Sequence, residues 1–193
     1  MESPPTIVSK VRTHIRKKTL KRLPLKPLAK LYNGDTEGLS HESIPILYEI
    51  YTKYAPLLKI AQPFRNFYHI GSGSGKLVIG LAYMNSTLKS TGIETTPESV
   101  KDGNTALEKV RYEQVKRRIE LLCISPLNES VQYTNACWIF LSELPDKDLI
   151  IDKLANEVKK GCIIVCETQI TNPEFQELNY ITLESKVFVY TRV

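Results

Sequence analysis

The run FYHIGSGSGK, residues 67–76, limits the folds open to this chain more than any other stretch. Alternating apolar residues lead into glycines at 71, 73 and 75, and the apolar run KLVIGLAYM follows at once. A strand that enters a glycine-rich turn and leaves as a helix is a unit from which parallel sheets are wound. Glycine is needed where the backbone takes angles closed to other residues, or where a ligand must lie against the chain itself. The helix opening there presents N–H groups without partners in their own helix, which favour electron-rich ligand atoms. The loop is not of the Walker type, because Lys76 is followed by Leu77 rather than Ser or Thr and the glycine spacing is too short.

The same alternation runs on to the C-terminus. Strands are expected at 64–71, 89–94, 119–125, 136–142 and 162–168, and helices at 75–85, 97–118 and 146–160. In the second helix Val100, Ala106, Leu107, Val110 and Val115 point inward; in the third, Ile150, Ile151, Leu154 and Val158 do, and Gly161 closes it. Two more strands, 178–185 and 186–193, are too closely joined for a helical crossover and must pair antiparallel. The expectation is an α/β fold with a mainly parallel seven-stranded sheet, helices on both faces and an antiparallel C-terminal pair.

Upstream, Asn33, Gly34, Asp35, Glu37 and Gly38 give turn signals. Ser40 or Ser43 can cap a helix carrying Ile44, Leu47, Tyr48 and Tyr51, with Pro45 in its first turn. Charge divides the chain at about the same place. Nine Lys and Arg fall within residues 1–30 against Glu2 alone, so a chain of net charge +5 has a mildly acidic body behind a basic arm. Residues 1–36 are read as basic arm and substrate-side loop, and 37–193 as the folded domain. Pro24 and Pro27 argue against one long helix in the arm. The arm fits a solvated tail, a localisation signal or a segment that binds the phosphates of nucleic acid.

No apolar run approaches a membrane span and none resembles a signal core, so a nuclear or cytoplasmic protein is expected, neither secreted nor in a membrane. Cys123, Cys137, Cys162 and Cys166 sit in apolar, strand-like runs and are expected to be buried thiols. With His14, His41 and His69 scattered, no metal site is expected.

Open α/β sheets bind ligands beyond the carboxyl ends of their strands, where strand order reverses. Three such ends carry candidates: the glycine loop with His69 just before it, Glu94 about twenty residues on, and Ser142, Glu143 and Leu144 after the fourth strand. An acid at the position of Glu94 suits the two hydroxyls of a ribose.

FYHIGSGSGKLVIGLA, GIET, CWIFLSEL and GLSHESIPILYEI together resemble the class I S-adenosylmethionine-dependent methyltransferases. More narrowly, they resemble the Dot1-like histone lysine methyltransferases of compact viral or protist type, over about residues 37–170. The resemblance implies a Rossmann-like class I methyltransferase fold and S-adenosyl-L-methionine as cofactor. It places Gly71, Ser72, Gly73 and Gly75 around the cofactor's amino-acid end, His69 beside them, Glu94 on the ribose and Ser125 near the adenine. Ser142, Glu143 and Tyr32 fall on the acceptor side, and the implied partner is a protein lysine, of a histone or nucleosome. The chain departs from the family at several points. His69 stands where an acid is usual, either as a polar support of the loop or as the mark of a weakened cofactor site. Ser125, Asn128 and Glu129 are what the loop after the third strand offers in place of the usual acid. Glu143 stands where Asn is usual, and would either hold the acceptor ammonium or take its proton. Tyr32, Glu37 and Gly38 replace the family's Tyr-Gly-Glu order.

Two functions follow: methyl transfer to a protein lysine, or a methyltransferase-fold protein that binds nucleic acid or a partner without turnover. Methylation of nucleic acid is disfavoured by the lack of an Asp/Asn-Pro-Pro-Tyr motif and of a catalytic Cys loop.

Overall fold

The computed structural model describes Leu31 and Tyr32 and residues 65–142, 144–178 and 187–193. The basic arm, the helix expected in the forties and Glu143 lie outside the described residues. The elements run β1 (Arg65–Ile70), α1 (Lys76–Met84), β2 (Leu88–Glu94), α2 (Pro97–Glu108), α3 (Glu113–Lys116), β3 (Ile119–Cys123), β4 (Ala136–Leu141), α4 (Lys147–Glu157), β5 (Ile163–Cys166), β6 (Phe175–Glu177) and β7 (Phe188–Arg192).

The strands form one sheet in the order β3-β2-β1-β4-β5-β7-β6. The first five are parallel, and β7 pairs antiparallel with both β5 and β6. This is the seven-stranded mixed sheet expected from the sequence. Strand order reverses between β1 and β4, so the glycine loop leaves the sheet at the reversal.

Alternation along the strands sorts side chains into two cores. Phe67, Trp138, Phe140, Ile163 and Val165 join Leu77, Val78 and Leu81 of α1 and Ala106 of α2 on one face. Ile70, Ile139, Leu141 and Ile164 join Ile150, Ile151 and Leu154 of α4 on the other. Phe67 and Trp138 meet with ring centres 4.8 Å apart. β4 is buried along its whole length, which explains its unbroken apolar sequence ACWIFL.

Four expectations change. The helix expected over 97–118 is two helices, because Val110 turns into the core and Tyr112 is extended, restarting the chain at α3. Arg118 then reaches back to the C-terminus of α1, donating to the carbonyls of Ala82, Asn85 and Leu88 at 2.9, 2.6 and 2.9 Å, and to Gln114 O at 2.9 Å. Carbonyls at the end of a helix have no partner within it, and a cation satisfies them well. α4 ends with Val158 as its cap in an extended conformation, while Gly161, at φ 84°, makes the turn into β5. The sixth strand is Phe175–Glu177, upstream of the stretch expected, most of which lies outside the described residues. Finally, Cys123 is exposed at the end of β3, although Cys137, Cys162 and Cys166 are buried.

Candidate functional site

The three loop glycines all adopt left-handed angles, at φ 76°, 52° and 72° for Gly71, Gly73 and Gly75. Their surroundings differ. A Cβ on Gly71 would lie 3.1 Å from Ser142 Cβ and 3.2 Å from Leu144 Cδ2, so Gly71 lets the loop close onto the end of β4. A Cβ on Gly75 would lie 2.7 Å from Leu121 Cδ2, a packing requirement. A Cβ on Gly73 would meet nothing within 4 Å. Gly73 is therefore the glycine whose open side leaves room for a ligand against the backbone.

The loop is anchored to the end of β2. Gly71 and Ser72 donate their N–H groups to Ile93 O at 2.9 and 3.1 Å, beside the next strand's end. Glu94 completes that end: Oε2 accepts the Gly73 N–H at 2.9 Å, and Oε1 accepts the N–H groups of Thr95 and Thr96 at 2.8 and 2.9 Å. Partial burial alone would raise the carboxyl's pKa, but the bonds from Thr96, Gly73 and Thr95 outweigh it and hold the group below the usual range. Glu94 is thus a carboxylate in the resting protein. Each of its oxygens keeps acceptor capacity beyond these bonds.

Tyr32 supports the loop from another side. Its hydroxyl donates to Ser74 O at 2.9 Å, and the Lys76 Nζ lies 5.4 Å from its ring centre. Burial raises the hydroxyl's pKa above the ordinary phenol range, so it stays a donor.

His69 follows Phe67 in the alternation and faces the same core. Its ring meets Phe140 edge-on at 5.0 Å. Nε2 lies 3.0 Å from Ser142 Oγ, while Nδ1 is buried and unpartnered. Burial pushes the ring's pKa down to about 3, with Glu94 opposing weakly. His69 is therefore neutral at physiological pH. It is not the charged group that an acid in its place would be.

A cleft of about 380 Å³ opens here, lined by His69, the loop from Gly71 to Ser74, Lys76, Leu77, Phe140, Ser142 and Glu167. That volume lies at the low end for small-molecule sites. The expected residues His69, Gly71, Ser72, Gly73 and Ser142 come together in it. Glu94 holds the loop without lining the cleft. Ser125, exposed, follows Ile124, whose N–H donates to Glu94 O at 2.9 Å, so it sits beyond β3 on the far side of Glu94. Glu143 lies outside the described residues. Sequence reasoning missed Lys76, Phe140 and Glu167. Glu167 directly follows β5 and was findable as a further strand end. Phe140 reads as plain core from sequence. Among the described residues no group of three or more metal-binding side chains forms, and no helix is long and apolar enough to cross a membrane.

Comparison with known proteins places this architecture. No protein-family model matches the chain, and no curated protein matches it. Among solved structures it is similar to an RNA methyltransferase from Salinibacter ruber in complex with S-adenosyl-L-homocysteine, at 19% identity and TM-score 0.53, over 75% of this chain and 90% of that one. It also aligns with a precorrin-6y C5,15-methyltransferase from Geobacter metallireducens GS-15, at 15% identity and TM-score 0.49, over 75% and 87% of the two chains. A geranyl diphosphate C-methyltransferase from Streptomyces coelicolor A3(2) follows at 12% and 0.48, over 62% of this chain and 44% of that one. The fold is the Rossmann-like fold of class I S-adenosylmethionine-dependent methyltransferases.

Proposed function

We propose that the chain is an S-adenosylmethionine-dependent methyltransferase. The observation that carries the reading is the open side of Gly73 in a loop anchored by Glu94, at the reversal of strand order. A cradle tied to the end of β2 with one face left clear suits a nucleoside cofactor. When bound, S-adenosylmethionine supplies an activated methyl group on sulfur. The residues then need only bind, align and exclude water. Gly71, Ser72 and Gly73 would border the amino-acid end, Glu94 would accept from the ribose hydroxyls, and Ser125 would lie on the adenine side. Ser142 and Glu143 would border the acceptor.

His69 has a limited part in that chemistry. A group with a pKa of about 3 is a poor base for a lysine ammonium, whose ordinary pKa is about 10.4. Its work is to hold Ser142 and close the end of β1 in a neutral form. The acceptor's proton leaves by another route, with Glu143 the nearest carboxylate in sequence.

The finer reading is a Dot1-like protein lysine acceptor, in a histone or nucleosome. It rests on the sequence resemblance of GLSHESIPILYEI and CWIFLSEL, and on the basic arm, which would hold nearby nucleic acid. Deleting residues 10–30 should weaken binding to DNA or nucleosomes and flatten its salt dependence. Equal affinity without the arm would remove it from the reading.

Calorimetry with S-adenosylmethionine and S-adenosylhomocysteine tests the whole proposal. Binding by the wild type, lost in Gly73→Val with the fold intact by circular dichroism, is the expected result. A folded wild type that binds neither leaves a methyltransferase-fold binding protein as the reading.

A further inference from the structure

The end of α1 away from the glycine loop carries a surface of another kind. Arg118 fastens α3 to this end of α1 through the carbonyls of Ala82, Asn85 and Leu88. Tyr112, just before α3, meets Tyr83 of α1 edge-on there, with ring centres 6.3 Å apart. Tyr83 packs on the core, while Tyr112 stands out from it, 59% exposed. Arg111 belongs to the same group: burial and Tyr112 raise the pKa of the Tyr83 hydroxyl, and the Arg111 guanidinium opposes them.

Charge on this surface is unbalanced. Glu113 is engaged by Lys116 at 3.3 Å and Glu120 by Lys89 at 3.9 Å. That leaves Glu108 against Arg111 and Arg117, both exposed and without an ion pair among the described residues. The chain also enters the described fold here. Leu31 is buried in the core with Leu107 and Val110 at the end of α2, and its carbonyl accepts from Lys109 Nζ at 3.3 Å. Residues 1–30, with nine Lys and Arg against Glu2, directly precede it in sequence. A basic arm does not cover a basic surface, so the occupant is an anion. An exposed tyrosine flanked in sequence by Arg111 and Arg117 adds a flat face to that charge. Single-stranded nucleic acid offers the matching pair, an open base and its phosphates, whereas a duplex hides its base faces.

We infer that Arg111, Tyr112 and Arg117 form a docking surface for single-stranded nucleic acid, with Tyr112 stacked on a base and the two guanidinium groups on phosphates. The 9 residues of α1, about 13 Å, separate this surface from the glycine loop. The docked base therefore lies away from the cleft and anchors the protein rather than receiving a methyl group. The surface is distinct from the cofactor cleft, and the inference does not depend on the cofactor reading.

Fluorescence anisotropy of labelled oligo(dT), and of a duplex of equal length, tests this on the full chain. The wild type should prefer the single strand. Y112A should weaken oligo(dT) about tenfold, the scale of one lost stacking contact, and leave the duplex within about twofold of wild type. Y112F keeps the ring and should bind as the wild type does. R111Q/R117Q should weaken oligo(dT) and lower its salt slope by about 1.4, at about 0.7 per phosphate contact. R111Q/R117Q removes no packed ring, so it tests the surface even where Y112A destabilises α3. Wild-type affinity for oligo(dT) in both Y112A and R111Q/R117Q overturns the inference, leaving any binding to the arm. A Y112A loss as large for the duplex as for the strand overturns it too. So does polyglutamate that displaces labelled oligo(dT) as well as unlabelled oligo(dT) does, since that marks a surface for acidic protein.

Discussion

Glu94 Oε2 accepts the backbone N–H of Gly73 at 2.9 Å, tying the end of β2 to the glycine loop across 21 residues of sequence. The same carboxylate is the one expected to meet the ribose. It shapes the site, and under the proposed function it would also meet the ligand. Glu94→Ala should weaken S-adenosylhomocysteine by about 1.5–3 kcal/mol, the range for hydrogen bonds to a charged group. The loop N–H groups should also exchange faster with solvent deuterium. Full affinity in a folded Glu94→Ala protein would remove Glu94 from the site.

The glycines separate binding from folding. Gly73→Ala carries only the cost of a left-handed angle, about 1–2 kcal/mol. Gly75→Ala adds a clash with Leu121 Cδ2 at 2.7 Å, so it should lose at least another 1 kcal/mol or so to overpacking. Urea unfolding of the two variants checks the order. If Gly75→Ala is no less stable than Gly73→Ala, the packing account of Gly75 is wrong.

His69 gives a pH dependence with a defined sign. Its folded pKa, about 3, lies below the ordinary histidine value of 6.5. The unfolded chain thus binds the extra proton between those values, and stability falls as pH drops through that window. From pH 7 to pH 5 the loss should be about 2 kcal/mol. Glu94, held below 4.5, loses its own contribution only at lower pH, as pH falls through its depressed value. Denaturant titrations of wild type and His69→Gln should therefore diverge in slope between pH 7 and pH 5. Parallel curves would mean that His69 titrates normally. His69→Asp should destabilise at neutral pH, because it puts a carboxylate where burial already keeps an imidazole neutral.

Arg118 closes the C-terminus of α1 with bonds to three carbonyls, those of Ala82, Asn85 and Leu88. Arg118→Ala should cost about 2–4 kcal/mol, since those carbonyls lose a charged donor. Arg118→Lys should recover only part, because an ammonium lacks the planar fork that reaches several acceptors at once. A melting temperature unmoved by Arg118→Ala would show that water replaces these bonds without loss.

Much of the fold was legible in the sequence because it is written in local periodicity. The strand, glycine loop and helix at 67–84, the buried faces of α2 and α4, and the antiparallel return of β7 follow from the spacing of apolar residues and from turn chemistry. Glu94 was visible because its distance from the loop is set by one helix and one strand. The break between α2 and α3 was not legible. No Gly or Pro marks it, and it exists because Val110 and Arg118 have partners on β-strands and on α1 that only the folded chain brings near. The cleft depends on the tertiary structure for the same reason. Lys76 and Glu167 are 91 residues apart, and only the order β1-β4-β5 makes them share a cavity. The neutrality of His69 is also a tertiary fact, since its charge state is set by the burial that Phe140 and the neighbouring strand ends impose. Sequence determined most of the elements and the faces they bury, because those depend on neighbours along the chain. Which charges face one another, and which of three similar glycines leaves room for a ligand, was decided by contacts that no local pattern encodes.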